Sequence, residues 1–224
     1  MTLMTKNDYH HGNLKEEMLS IAFDHIERHD VETLTLKVLA DATGTSRSAI
    51  YRHFENKDAL MEAIILRGFD AFDAAVSTGL KETTRPLIDR FYLATRDYVE
   101  YAKTHPNLYR LLFGKKYAYI REEVMSLKDP ACLGFGPLKA AIEEGQRMGV
   151  VKKDDSYEQS IVILASVHGL SMMIIDEFRE VEEIYEPLYR RMFESLLSGI
   201  VSDRAKLIST IPFVKNLLKP NSAE

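Results

Sequence analysis

Three features of the sequence predict an all-α protein. Apolar residues recur at helical spacing along almost the whole chain. No segment alternates apolar and polar residues strictly, as a half-buried strand would. Residues that cap helix ends precede many of the apolar segments, and glycine or proline separates them. Together these features predict about nine helices.

The N-terminal part of the chain predicts two helices. Asn13 and Glu16 have the spacing of a capping box, in which the asparagine side chain accepts a backbone N–H and the glutamate reaches back. From there an apolar stripe predicts a first helix that ends near His29. Thr35 is a good N-cap for a second, short helix, which Gly44 should end in the left-handed conformation.

Further capping residues predict the remaining helices. Ser46 begins a third helix that carries Ile50 and Phe54, and Asn56 begins a long fourth helix. Asp155 opens the helix that contains the longest apolar stretch, again with capping-box spacing. The breaks between the later helices fall at residues 79–86, 105–106, 129–130, 149–155 and 186–187.

Composition and charge are those of an ordinary globular protein. The chain has 224 residues, of which 46% are hydrophobic and 28% charged, and its net charge is −5. Its single cysteine, Cys132, excludes an internal disulfide framework and fits a reducing compartment. No secretory signal is visible, and the apolar stretch at 161–175 is shorter than the roughly 20 residues of a membrane span. We therefore expect a cytoplasmic protein with no membrane partner.

Residues 35–57 have the layout of a helix-turn-helix motif, with a tight glycine-containing turn between two short helices. The apolar residues of both helices would pack together, which leaves the outer face of the second helix exposed. Such a helix fits the major groove of DNA. The candidate DNA contacts are Thr35, Thr45, Ser46, Arg47, Ser48, Tyr51, Arg52, His53 and Lys57, with His10 and His11 on an N-terminal arm.

The candidate contacts have different chemistry. Arg47 has the donor geometry to bond a guanine edge bidentately, whereas Thr35 and Tyr51 suit phosphate oxygens. Lys57 begins the fourth helix, where backbone N–H groups and the helix dipole favour a phosphate. Residues 44–57 contain three basic residues and one acidic residue, a local net charge of +2. The alternative is an ordinary αα-hairpin with a solvent-exposed charged face, and geometry alone does not separate the two.

The same segment resembles the DNA-binding domain of TetR-family regulators. The resemblance lies in residues 35–46 (TLKVLADATGTS), in residues 50–54 (IYRHF), and in Lys57 and Leu60. Asp30 stands where the family usually has a glycine at the end of the first helix. An aspartate tolerates the left-handed conformation of such a glycine better than most residues do.

Two other segments resemble one subgroup of that family. Residues 9–14 (YHHGNL) resemble its start, and residues 167–170 (VHGL) resemble a His-Gly pair in its C-terminal domain. Residues 102–113 resemble the middle segment of that domain. The chain has no tryptophan, which the subgroup carries in the same domain.

The resemblance implies a homodimeric regulator, usually a repressor, that binds near-palindromic double-stranded operator DNA. A small-molecule effector in the C-terminal domain would move the fourth helix and change operator affinity. The implied domains are 1–57 (helix-turn-helix, DNA binding), 58–219 (helical, joined by the long helix, effector binding and dimerisation) and 220–224 (frayed tail). The helices at 156–177 and 187–202 would form the dimer interface.

Aromatic and sulfur-containing residues are the candidates for an effector pocket, because small-molecule sites are mostly apolar with few polar groups. They are Tyr92, Tyr109, Phe113, Tyr117, Met125, Phe135, His168, Met172 and Met173. The alternative is that these residues are ordinary core. A DNA-binding protein without an effector, its pocket filled by side chains, therefore stays open.

Catalytic and metal-binding patterns give little support to other functions. His25 and His29 have metal-ligand spacing on one helix, but the sequence identifies no third ligand, so we interpret them as surface histidines. There is no G-x-S-x-G motif, no glycine-rich phosphate loop and no H-E-x-x-H motif. We therefore expect neither an enzyme nor a bound cofactor or metal.

Overall fold

The computed structural model describes residues 14–127, 135–176 and 184–202. Within these residues it contains ten α-helices and a 3₁₀ turn at Val31–Thr33, so the predicted all-α fold class is confirmed. The α-helices are α1 (Leu14–Arg28), α2 (Leu36–Thr43), α3 (Arg47–Tyr51), α4 (Lys57–Lys81), α5 (Leu87–Thr104), α6 (Pro106–Phe113), α7 (Ala118–Leu127), α8 (Phe135–Arg147), α9 (Ser156–Ile175) and α10 (Tyr185–Ile200).

The predicted caps of α2, α3 and α4 are confirmed. The side chains of Thr35, Ser46 and Asn56 each accept the backbone N–H of the residue three positions later, which satisfies donors that a helix start leaves free. Gly44 ends α2 at φ 63°, in the left-handed region. The third helix is shorter than predicted, since it contains five residues and Phe54 follows it.

Asp30, which stands where the resembled family usually has a glycine, does not adopt a left-handed conformation. Its backbone lies at φ −58° and ψ 138°, outside the left-handed region. Instead its carboxylate accepts the backbone N–H of Glu32 at 2.7 Å and caps the 3₁₀ turn. The first helix therefore ends without a left-handed residue. Asn13, half of the capping box predicted with Glu16, lies outside the described residues.

The helices form two compact units. The first unit comprises the described residues of Met1–Phe69 together with His105–Leu127. In it α1 packs on α2 and α6, and α2 packs on α3. The helices α6 and α7 thus belong to the same unit as the helix-turn-helix segment, although they follow it in sequence by about fifty residues. The predicted functional domains, which divide at residue 57, stay a prediction.

The second unit comprises Asp70–Thr104 and the described residues of Lys128–Glu224. In it α9 packs on α5, α8 and α10. The Tyr189 side chain is fully buried, and its hydroxyl lies 2.9 Å from the Tyr92 carbonyl oxygen and 2.8 Å from the Thr95 hydroxyl. Burial raises the pKa of Tyr189 far above its ordinary value, so its hydroxyl stays protonated.

One buried guanidinium links three helices of the second unit. Arg90 on α5 is 4% exposed. It donates to the Leu80 carbonyl near the end of α4 at 2.8 Å and to both carboxylate oxygens of Glu144 on α8 at 2.8 and 3.0 Å. Charge-assisted hydrogen bonds of this kind offset the cost of removing the charge from water.

The long apolar helix α9 has exposed apolar residues on one side. Its residues Ile161, Val162 and Met173 are 40%, 54% and 41% exposed. The helix has 20 residues and contains an 18-residue window with a mean hydropathy of 1.5. By length and composition alone it is long and apolar enough to cross a membrane, a test that core helices also pass.

Candidate nucleic-acid interface

The inner face of α3 is buried in the first unit. Ile50 is 0% exposed, and Ala49 and Phe54 are also buried. Leu39 and Ala40 supply the buried face of α2, which packs on α3. The predicted packing of the two helices is confirmed, and it fixes which side of α3 faces outward.

The outer face of α3 is polar and exposed. It presents Arg47, Ser48, Tyr51 and Arg52, with Tyr51 56% exposed. Within the part of the chain that the structure describes, Arg47, Arg52 and Lys57 form no ion pair. Some basic residues elsewhere are paired with carboxylates, namely Arg67, Arg85, Arg90, Arg96, Lys103, Lys139 and Arg190. The cations at α3 and the start of α4 therefore leave an electropositive surface without internal neutralisation.

Hydroxyl groups hold the turn between α2 and α3. The Thr43 hydroxyl lies 2.8 Å from the Leu39 carbonyl oxygen and 2.9 Å from the Thr45 hydroxyl. The Ser46 oxygen, which caps α3, lies 2.8 Å from the Ser48 hydroxyl. The turn is thus ordered by its own side chains. The predicted DNA contacts of Thr45, Ser46 and Ser48 stay a prediction.

The other predicted DNA contacts lie at the edges of this surface. Thr35 is exposed at the start of α2, and Lys57 and His53 are half-buried beside α4. His10 and His11 lie outside the described residues.

The predicted effector residues fall in both compact units. Tyr109, Phe113, Tyr117 and Met125 belong to the first unit, and Tyr92, Phe135, His168, Met172 and Met173 belong to the second. Several of them pack on other aromatic rings. Phe113 has its ring centroid 4.6 Å from that of Tyr109 and 5.7 Å from that of Phe69, and Phe135 lies 5.1 Å from Tyr157. Whether they line an effector site stays a prediction.

His168 has a polar partner that the sequence did not identify. Its Nδ1 lies 3.4 Å from the Tyr98 hydroxyl oxygen. The ring of Tyr98 also packs edge-on against Phe72, with centroids 5.0 Å apart. The sequence contains part of the evidence for this partner, because Tyr98 follows Tyr92 and Thr95 on the apolar face of α5.

His25, near the end of α1, packs on His29, which directly follows the helix. The rings of His25 and His29 have centroids 4.9 Å apart, and His25 Nε2 lies 2.7 Å from the Thr33 hydroxyl oxygen. Burial and the neighbouring His29 lower the pKa of His25. Across the described ranges, no group of three or more histidine, cysteine or acidic side chains is placed to hold a metal ion.

A buried helix pair with one exposed cationic face has the layout of a helix-turn-helix motif. Residues 19–64 match the family described as bacterial regulatory proteins, tetR family. The matched segment covers α2, α3 and the start of α4, so these residues are similar to the family's N-terminal segment.

The chain is also similar to individual proteins of known sequence or structure. The chain is 24% identical over 174 residues to the nucleoid occlusion factor SlmA of Cronobacter sakazakii, covering 75% of this chain and 86% of that protein. It is 23% identical over 158 residues to a probable acrEF/envCD operon repressor of Escherichia coli K12, covering 67% and 70%. A Rhodococcus protein of unknown function shares the fold with a TM-score of 0.72 and 24% identity, over 87% and 99% of the two chains.

Proposed function

We propose that this protein is a cytoplasmic repressor whose dimer binds a near-palindromic operator and whose affinity is set by a small-molecule effector. The observation that carries the proposal is the outer face of α3. Its cations have no internal partner among the described residues, while the opposite face of the same helix is buried. A DNA phosphate backbone and the base edges of a major groove supply the missing acceptors.

Side-chain geometry assigns base contacts and phosphate contacts to different residues of this surface. Arg47, in the first turn of α3, supplies the fork of donors that pairs with a guanine edge. Lys57, in the first turn of α4, contributes a point charge beside backbone N–H groups and so favours a phosphate. Tyr51 is exposed enough to place its hydroxyl on a phosphate oxygen. The acidic remainder of the chain opposes binding elsewhere on its surface.

The proposed dimer interface uses the exposed faces of α9 and α10, and its occupant is a second copy of this chain. A groove between the two helices is lined by Val162, Ser166, Met192, Leu196 and Gly199 among others. Small and apolar residues of this kind let two helix pairs approach closely. Dimerisation is typical of the family, and the two recognition helices of a dimer would lie about one DNA turn, roughly 34–36 Å, apart.

The effector site is proposed for the interior of the second unit. The Tyr98–His168 pair provides a polar contact among aromatic residues, which is the usual chemistry of small-molecule sites. Phe72, which packs on Tyr98, belongs to α4, and the same helix begins at Lys57 beside the DNA-reading surface. A ligand that displaces α4 at Phe72 would therefore act on the start of the same helix.

The DNA part of the proposal is tested with the gene's own upstream DNA. A fluorescently labelled duplex should bind saturably in the presence of competitor, with an affinity that falls steeply as salt rises. The double variant Arg47→Ala/Arg52→Ala should lose this binding. The matched control, Arg147→Ala/Lys153→Ala, removes the same charge from exposed positions of the second unit and should bind as the parent does. Equal loss in both variants would contradict the assignment to α3.

The effector part is tested separately, by a thermal-shift screen of small molecules on the full chain. A true effector raises the melting temperature by mass action and also releases the DNA. The variant His168→Ala should lose both responses while it keeps operator binding. If compounds that stabilise the protein never change operator affinity, the protein is a DNA-binding protein without effector control.

A further inference from the structure

The loop that joins α6 to α7 lies in the first unit, beside two predicted phosphate contacts. Lys116, in this loop, forms an ion pair with Glu32, which lies in the 3₁₀ turn three residues before Thr35. The Tyr119 hydroxyl, in the first turn of α7, donates to the Asp58 carboxylate at 3.2 Å, and Asp58 directly follows Lys57. Three residues of chain span at most about 10 Å, so the loop lies near both contacts.

The loop is held in place by its own hydrogen bonds. Arg121 donates to the carbonyl oxygens of Leu112 at 3.1 Å and of Gly114 at 2.8 Å, which ties α7 to the end of α6. At Gly114 an added Cβ would collide with the carbonyl oxygen of Arg110, so the chain requires glycine there. Tyr117 is buried beneath the loop. A loop anchored in this way presents its outer side chains at fixed positions.

Two lysines occupy the outer side of this loop. Lys115 and Lys116 are both exposed, and Lys115 forms no ion pair within the ranges that the structure describes. Lys116 and Glu32 neutralise each other, while the Tyr119 hydroxyl bonds Asp58 without neutralising its charge. Lys115 is therefore the cation of this loop that has no carboxylate partner among the described residues.

We propose that Lys115 and Lys116 form a second DNA contact that binds the phosphate backbone beside the helix-turn-helix. Duplex DNA carries one negative charge per about 1.7 Å of its axis, so a backbone held at Thr35 and Lys57 offers further phosphates nearby. Lysine ammonium groups neutralise such phosphates without reading sequence. This contact rests on the proposed function and adds binding energy and salt dependence rather than specificity.

The test measures affinity for a labelled duplex of random sequence, because phosphate contacts need no operator. The variant Lys115→Ala/Lys116→Ala should bind about tenfold more weakly at low salt, and its slope of log affinity against log salt should fall by about 1 to 2. The control Arg147→Ala/Lys153→Ala removes the same two charges from the second unit and should keep the parent slope. If the salt slope of the lysine variant equals that of the control, Lys115 and Lys116 do not contact DNA.

A second measurement separates a DNA contact from a purely structural ion pair. Glu32→Gln frees Lys116, so it should strengthen DNA binding more in the parent chain than in Lys116→Ala. Equal strengthening in the two backgrounds would mean that Lys116 does not bind DNA. If the parent chain itself binds no DNA, the proposed function fails; if the parent binds and only these variants match their controls, this contact alone fails.

Discussion

The outer faces of α3 and α9 are both exposed, but they present opposite chemistry. The α3 face presents cations with no ion pair among the described residues, whereas the α9 face presents Ile161, Val162 and Met173. Exposed cations remain hydrated and gain a partner only when an anion arrives. Exposed apolar side chains remain unfavourable in water until another apolar surface covers them. We therefore assign α3 to a transient polyanion and α9 to a permanent protein partner.

The largest expected effect comes from placing charge on the α9 face. Ile161→Asp/Val162→Asp would bring four carboxylates into the interface of two copies, at a cost of more than about 4 kcal/mol, or a thousandfold in dimerisation. Sedimentation should then show a monomer. Operator binding should fall because a monomer brings only one recognition helix to the operator. Met148→Asp, at an exposed methionine at the end of α8, is the control and should remain dimeric.

The next largest effect is a loss of stability when a residue on the buried side of α3 is truncated. Ile50→Ala should lower the free energy of unfolding by about 3 kcal/mol, because it removes a fully buried side chain and leaves a cavity. Urea unfolding at fixed protein concentration measures this change. Tyr51→Ala, the neighbouring exposed position, should change stability by about 0.5 kcal/mol or less. Similar losses in the two variants would mean that the two faces of α3 are not distinct.

A smaller effect separates base reading from phosphate binding on the same surface. Arg47→Ala should weaken operator binding by about 1–3 kcal/mol and relax the preference for sequence. Lys57→Ala should weaken binding to all duplexes alike and reduce the salt slope by about 0.9. Titrations of operator and random duplex at several salt concentrations distinguish the two. If both variants behave alike, Arg47 does not read a base.

The smallest effect concerns the turn that orients α3. Gly44→Ala should destabilise the protein by about 1 kcal/mol, because φ is 63° there and no atom lies close enough to clash with a Cβ. Gly44→Asn should cost less, since asparagine tolerates the left-handed region better. Thermal unfolding of the two variants measures the difference. Equal melting temperatures for Gly44→Ala and the parent would show that backbone strain does not matter at this turn.

The helix-turn-helix was predictable because its signals are local. Thr35, Ser46 and Asn56 each satisfy a backbone N–H three residues away, and Gly44 supplies a conformation that its own lack of Cβ permits. At Asp30 the resembled family usually has a glycine, and here the aspartate caps a 3₁₀ turn instead. The aspartate side chain accepts a backbone N–H and so caps the next turn, which glycine cannot do because it has no side chain.

By itself, the sequence determined the all-α class, the caps of the first helices and the candidate DNA-reading face. Only the tertiary structure decided that α6 and α7 pack with the first unit, that one side of α9 is exposed, and that Tyr98 is the partner of His168. The reason is the range of the interactions. Caps and turns involve backbone groups within four residues, whereas burial depends on residues that are distant in sequence and meet only in the folded chain.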